Sequence, residues 1–203
     1  MSDNNIANAS VSAERLMRAY HKHSLEPDAD TLFALLEAMH SANDRLKKAC
    51  GIDFIDLPDF LALKCLRNFF HHHDELRYSV RVIPTRDLPI DSDLLFLCLV
   101  PRNLIDDAIE QTSVRYKSQS RYACEQRFHW YGNVVNINPC LLNFIVHAYE
   151  RLTAASIELS GAEAEAFRCS YDFEAASGFS HFVDGRISTT AGNIDQLLSD
   201  LVE

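Results

Sequence analysis

The sequence predicts a mainly helical protein, because three segments repeat apolar residues with the period of an α-helix or begin with proline in the first helical turn. In the clearest segment the apolar positions are Leu32, Leu35, Leu36, Met39, Ala42, Leu46 and Ala49. Lys47 and Lys48 then precede Gly51, which is typical of a helix C-terminus, and either Asp30 or Thr31 is expected to cap the N-terminus. The other two helices are expected to begin near Pro58 and Pro139.

Weaker sequence patterns predict the secondary structure of the rest of the chain. Residues 1–9 are polar and predict a frayed N-terminal end, whereas 113–130 and 178–190 are expected to be irregular. Further helices are predicted, in chain order, at 11–23, 101–112, 138–159 and 194–201.

One segment departs from the helical pattern. Residues 78–83 alternate like a β-strand and Pro84 ends them, while 94–100 is an apolar run that fits a buried strand or a helix. The sequence therefore predicts a helical bundle with a short β-hairpin insertion around 78–100. A length of 203 residues fits a single domain over 1–203.

The composition favours a soluble globular protein. Hydrophobic residues make up 47% and charged residues 24%, which is enough apolar material for a core. The net charge of −10 argues against broad, non-specific coating of DNA but leaves room for a small basic site. The polar N-terminus does not resemble a signal peptide, and the longest apolar run is too short to span a membrane. Six scattered cysteines fit reduced thiols, so we expect a cytoplasmic protein without membrane contact.

The segment 67–72, Arg-Asn-Phe-Phe-His-His, carries the side chains best suited to chemistry. RNA can be cleaved without a metal when its own 2′-hydroxyl attacks the adjacent phosphate. Histidine titrates near neutral pH and can transfer the proton, and arginine can stabilise the charge of the phosphorane-like transition state. Arg67 and His72 are therefore candidate catalytic residues, with Asn68 in support and His71 as a further candidate.

Helix geometry separates two of these side chains. Asn68 and His72 are four residues apart and share one face, as do Arg67 and His71. Arg67 and His72 point about 140° apart on an ideal helix. They can meet only if the helix ends there or if a second copy of the chain completes the site, as in a two-fold homodimer.

The Arg/His spacing alone is a weak signal. Arg18 and His23 have the same spacing, but Ala19 stands where Asn68 follows Arg67. The alternative interpretation of the segment is a surface arginine followed by solvated histidines that the helix dipole favours. What distinguishes it is the asparagine, the flanking phenylalanine pair and its place at the end of a long helix.

Arg67-Asn68-x-x-x-His72 resembles the R-N-x-x-x-H signature of the HEPN superfamily, over a helical context of roughly 30–74 and the later long helix. The resemblance implies an HEPN-like bundle and a metal-independent endoribonuclease in which Arg67 and His72 are catalytic and Asn68 is supportive. It also implies RNA as substrate, a homodimer with a composite site, and a role in phage defence or a toxin–antitoxin pair, with an antitoxin or defence protein as partner. The strand-like insertion is not part of the resemblance.

Basic residues near the motif are candidate contacts for RNA. They are Arg77 and Arg81 after the motif, with Arg86, and Arg115, Lys117 and Arg121 in a stretch interleaved with tyrosine. The alternative interpretation of the second group is a solvated surface that balances the charges of Asp106, Asp107 and Glu110.

No cofactor or metal is expected. The run 71–74, His-His-His-Asp, invites a metal site, but consecutive helical residues point about 100° apart and cannot all hold one ion. Phosphate-binding glycine loops are not found in the sequence. The alternative to an endoribonuclease is a non-catalytic helical module, a degenerate HEPN domain, that contacts a nucleotide or a partner protein.

Overall fold

The computed structural model describes residues 3–72, 78–189 and 192–202. Over those residues the chain forms eight α-helices, a four-stranded antiparallel sheet and a two-stranded antiparallel sheet. The helices are α1 (Asp3–Leu25), α2 (Ala29–Cys50), α3 (Pro58–His72), α4 (Arg102–Gln111), α5 (Val114–Arg127), α6 (Asn138–Ala154), α7 (Ala162–Ser177) and α8 (Ile194–Ser199). The strands are β1 (Arg81–Pro84), β2 (Asp91–Ser92), β3 (Phe96–Pro101), β4 (His129–Tyr131), β5 (Val134–Asn136) and β6 (Ile187–Ser188). The prediction of a mainly helical protein is confirmed.

Both ends of α2 are fixed by local hydrogen bonds. Asp28, rather than Asp30 or Thr31, is the N-cap: its side chain accepts the Thr31 N–H at 2.7 Å, and the Thr31 hydroxyl accepts the Asp28 N–H at 3.0 Å. Gly51 ends the helix with φ 76°, a left-handed conformation that glycine adopts without steric cost, and its N–H donates to the Lys47 carbonyl.

The main core lies among the long helices. Phe54, Phe60 and Phe144 form a cluster of rings whose centroids lie 5.5 to 6.0 Å apart, and all three side chains are essentially inaccessible to solvent. This cluster joins the segment before α3 to α3 and α6. The first turn of α3 is therefore held in the interior of the protein.

The predicted hairpin is confirmed and belongs to a larger sheet. β1 pairs antiparallel with β3, with Val82 opposite Cys98, and the strand order is β1-β3-β5-β4. One face of β3 packs on the helical core, while Leu97 and Leu99 on the other face join a second apolar cluster with Leu198 of α8. β3 is thus buried on both faces, which is why its sequence shows no alternation.

The prediction that 113–130 is irregular is wrong, because α5 and β4 occupy this segment. The buried residues of α5 are small: Ser120, Ala123 and Cys124. The helix packs on α3 through them, so it lacks the stripe of large apolar residues that marks most helices in a sequence.

Several other assignments also differ from the prediction. α1 begins at Asp3, so 3–9 is not a frayed end; Ala9 is fully buried there. α6 ends at Ala154 rather than near Leu159. The unassigned segment after Gly161 forms α7, and the irregular 178–190 contains β6. Over the described residues, no helix combines the length and the apolar character needed to cross a bilayer.

Candidate active site

The 67–72 segment lies on the last turns of α3, as predicted. Just before α3, Asp56 accepts two hydrogen bonds from Arg151 of α6, at 2.6 and 2.7 Å, which fix the start of the helix. Near its end, buried Phe70 packs edge-on against Phe33 of α2, with ring centroids 4.9 Å apart. Because the two phenylalanines of the segment are buried, the polar residues before and after them lie towards the surface.

Glu37 of α2 joins two side chains of the segment. Its Oε2 accepts a hydrogen bond from Arg67 Nη2 at 2.7 Å, and its Oε1 lies 3.5 Å from His71 Nδ1. Arg67 Nη1 donates to Asn68 Oδ1 at 3.3 Å. The ring of His72 lies edge-on to that of His71, with centroids 5.3 Å apart. A guanidinium, a carboxylate and the His71 imidazole therefore form one cluster at the end of α3, which we call the α3 cluster, and His72 contacts it through the ring of His71.

The charges of the α3 cluster shift the protonation of its neighbours. Burial tends to raise the pKa of Glu37, but the hydrogen bond and charge of Arg67, with smaller effects of His71 and His40, outweigh it and lower this pKa. Burial lowers the pKa of His40, and the charge of Arg67 lowers it further. Glu37 is thus ionised and His40 neutral at neutral pH. Arg67 Nε is buried and has no hydrogen-bond partner in the described part of the chain.

A cavity of about 560 Å³ opens on the other side of α3, bordered by the end of α2 and the turn between α4 and α5. Its polar lining includes Lys64, Asn68, His72 and Tyr116. Among the described residues that line it, none is an aspartate or a glutamate. In a chain with a net charge of −10, this cavity, which we call the α3 cavity, is suited to an anionic ligand.

Arg67 and His72 are not brought together within one protomer. Arg67 lies against Glu37 at the boundary of α2 and α3, with its side chain 16% exposed, whereas exposed His72 lines the α3 cavity. Over the described residues no hydrogen bond or ring contact joins them. His71, by contrast, lies next to Arg67, because both side chains contact the Glu37 carboxylate.

No family model, curated protein or solved structure matches this chain. What the site can do therefore follows from its own side chains.

The basic residues proposed to contact RNA have different surroundings. Lys117 and Arg121 both bind Glu110 of α4, at 3.2 and 2.7 Å. For these two residues the structure thus shows the alternative interpretation, in which the basic side chains balance a nearby acidic charge. Arg115 instead lies over the ring of Tyr116, 5.2 Å from its centroid. Of these three basic residues, Arg115 is therefore the one for which no ion pair with a carboxylate is found among the described residues.

The candidates after the motif lie at the edge of the sheet or outside the described residues. Arg81 of edge strand β1 donates to the backbone carbonyls of Tyr78 and Val80, and Arg86 lies 3.7 Å from Asp87. Arg77 lies outside the described residues, as do the last two positions of the 71–74 run. Among the described residues, no group of three or more histidine, cysteine, aspartate or glutamate side chains is arranged to hold a metal ion.

A second pairing of guanidinium and imidazole lies at the start of α3. The carboxylate of Asp59 is 1% exposed, and its Oδ2 lies 3.5 Å from Arg127 Nε and 3.9 Å from His147 Nε2. His147 Nδ1 is also 3.7 Å from Glu150. Arg127 and His147 therefore both face an internal carboxylate, and this arrangement holds α3, α5 and α6 together.

Glu37 is a site residue that the sequence analysis did not identify. A signal was present: α2 and α3 carry polar or charged residues with the same spacing of three and four. They are Glu37, His40 and Asp44 on α2 and Lys64, Arg67 and His71 on α3. Equal spacing puts each set on one helix face, but only the packing of the two helices reveals that the faces meet.

Proposed function

We propose that this chain is a metal-independent endoribonuclease of the HEPN type that acts as a homodimer. The observation that supports this most is the α3 cluster, in which one carboxylate, Glu37, holds both the guanidinium of Arg67 and the imidazole of His71. Cleavage of RNA by its own 2′-hydroxyl requires this pair of groups. The role in phage defence or a toxin–antitoxin pair, and an antitoxin as partner, rest on the resemblance alone.

In the proposed reaction the 2′-oxygen bonds to phosphorus as the bond from phosphorus to the 5′-oxygen breaks. One imidazole accepts the proton of the 2′-hydroxyl and a protonated imidazole supplies one to the 5′-oxygen, so the products are a 2′,3′-cyclic phosphate and a 5′-hydroxyl. Arg67 stabilises the added negative charge of the phosphorane. Glu37 orients His71, which makes His71 the first candidate for proton transfer alongside His72, the residue that the sequence favoured.

A homodimer accounts for the placement of His72. Within a protomer His72 lies on the α3 cavity, on the other side of the helix from Glu37. Two copies related by a two-fold axis at the end of α3 would bring His72 of the partner subunit towards Arg67. The Asn68 amide, which already accepts a hydrogen bond from Arg67, lies between the two sides of the helix.

The test is cleavage of single-stranded RNA by the purified protein in the presence of EDTA. Arg67→Ala and His71→Ala are each expected to lower the cleavage rate by about 10²–10⁴, the usual range for loss of an acid–base or charge-stabilising group. The matched control is Arg18→Ala, which removes the arginine of the other Arg/His pair and should cleave as the wild type does. Undiminished cleavage by Arg67→Ala and His71→Ala would refute the proposal.

The role of Glu37 has its own signature. Glu37→Gln keeps the shape of the side chain but removes the charge that holds Arg67 and His71. If Glu37 positions these groups for the transition state, kcat falls while KM changes little. A rise in KM with unchanged kcat would instead assign Glu37 to substrate binding.

The composite site can be tested by mixing inactive variants. A heterodimer of Arg67→Ala and His72→Ala retains one complete site if the two residues act across the interface, so the mixture should regain cleavage. If the site lies within one protomer, mixing restores nothing, and His72 of the partner subunit then does not complete the site of Arg67.

The α3 cavity favours a second candidate function, a non-catalytic module that binds a nucleotide. Its lining joins Lys64 and His72 to Tyr116 without including Arg67, and Arg67 itself is occupied by Glu37. Saturable binding of a ribonucleotide, weakened by Lys64→Gln, together with no cleavage of RNA would favour this candidate over the nuclease.

A further inference from the structure

A second cavity, of about 260 Å³, lies between α1, α6, α7 and the segment that follows α7. We call it the α7 cavity. Three aromatic rings contribute to its walls: Tyr20 lies edge-on to Phe167 with centroids 5.8 Å apart, and Tyr171 also lines the cavity. None of its lining residues belongs to α2 or α3, so it is separate from the proposed nuclease site.

The charged lining of the α7 cavity is acidic. Glu163 and Glu174 both line it, and among the described lining residues there is no lysine or arginine. Glu163 is half-buried, and in the described part of the chain no hydrogen bond or ion pair occupies its carboxylate. Glu163 lies in the first turn of α7, so its carboxylate is open to a cation that enters the cavity.

One imidazole in this cavity is held in a fixed orientation. His181 Nδ1 lies 2.8 Å from Glu174 Oε2, and its ring stacks on Tyr171 at 3.6 Å with an interplanar angle of 14°. The Tyr171 hydroxyl in turn donates to Glu150 at 3.0 Å. The contacts with Glu174 and Tyr171 therefore fix both the position and the plane of the His181 ring.

We propose that the α7 cavity binds a small organic cation, a primary ammonium group on a short apolar chain. Eleven residues of α7, about 16 Å of helical rise, separate Glu163 from Glu174, and Glu174 already binds His181. The Glu163 carboxylate is therefore the acceptor for the ammonium protons, and Phe167, one turn further along α7, offers an aromatic face that attracts the cation. The volume of about 260 Å³ is below the usual range for drug-sized ligands, so the chain has few carbons. This site does not depend on the proposed nuclease function.

The first test is isothermal titration of the wild-type chain with butylammonium, 1-butanol and butyrate, three molecules of equal size that differ in charge. We expect saturable binding of butylammonium, with a Kd on the order of millimolar for so few atoms, at least about tenfold tighter than butanol or butyrate. Tetramethylammonium, which has no N–H donors, should bind more weakly than butylammonium. Equal binding of butanol or butyrate, or no binding of butylammonium, would overturn the proposal.

Two variants locate the binding. Glu163→Gln removes the unpaired carboxylate with little change of shape and should weaken butylammonium about tenfold; Phe167→Leu should weaken it by removing an aromatic face. The matched control is Glu165→Gln on the same helix, whose carboxylate binds Arg168 at 2.6 Å and does not line the cavity. Unfolding midpoints identify any variant that fails to fold. Equal affinity in Glu163→Gln and Glu165→Gln would show that butylammonium does not bind in this cavity.

Discussion

Acidification is expected to destabilise the fold through one buried histidine, His23 of α1. Its side chain is 2% exposed, with Nδ1 2.9 Å from the Thr31 hydroxyl and Nε2 3.7 Å from Cys98 Sγ. The ring also lies edge-on to Phe96. Burial lowers the pKa of His23 from 6.5 to about 4, against a smaller opposing effect of the charge of Asp28.

The folded state keeps the His23 ring neutral in a pH range where the unfolded chain would protonate it. The stabilisation is therefore fully present above pH 6.5 and is lost as the pH falls towards 4. With pKa values of 6.5 unfolded and about 4 folded, the loss is about 2 kcal/mol at pH 5 and about 3 kcal/mol at pH 4.

Urea unfolding between pH 7.5 and pH 5 measures this loss. The wild type should lose about 2 kcal/mol more than His23→Gln over that interval. His21→Gln on the same helix is the matched control and should retain the wild-type pH dependence, because the His23 ring remains. Burial also lowers the pKa of His40 and of His129, but both contribute equally in all three proteins. The same pH dependence in His23→Gln and the wild type would refute the reasoning.

Three further predictions concern stability at neutral pH. Phe54→Ala removes a fully buried ring and should lower the free energy of unfolding by about 3–5 kcal/mol in urea titrations. Asp28→Ala removes the cap that accepts the Thr31 N–H and should cost about 1 kcal/mol in the same assay. Arg151→Met breaks the pair with Asp56, whose side chains are 30% and 67% exposed, and should cost about 1 kcal/mol or less, with the loss reduced in high salt.

The helices that could be predicted are those that bury large side chains along one face. α2 buries Leu32, Leu36 and Met39 with helical spacing, so its pattern is visible in the sequence. α7 buries only Ala164 and half-buries Phe167 and Tyr171, while its Phe173 is exposed, and α5 buries only small side chains. These two helices pack against the rest of the protein, but they bury too few large apolar side chains for a helical period to be visible in the sequence.

The two copies of the Arg/His spacing show the limit of a local motif. His23 and His72 stand at the same distance after an arginine, but His23 is enclosed in the core and His72 is exposed at a helix end. The copy that the asparagine and the helix position favoured as a site is the one that lies at the surface. That Arg67 is held by Glu37 could not be predicted, because the two residues lie 30 positions apart and meet only through helix packing.

The charge distribution sets how RNA would bind to so acidic a chain. Lys117 and Arg121 are neutralised by Glu110, whereas Lys64 and Arg115 have no carboxylate partner among the described residues. These two cations remain to contact phosphates, so log K for single-stranded RNA should fall with log salt concentration with a slope of about −1.4. Fluorescence anisotropy over a salt series measures this slope. Lys64→Gln should make it shallower by about 0.7, while Lys117→Gln should leave it unchanged; a slope that depends on Lys117 and not on Lys64 would place the RNA on α5 and not at the α3 cavity.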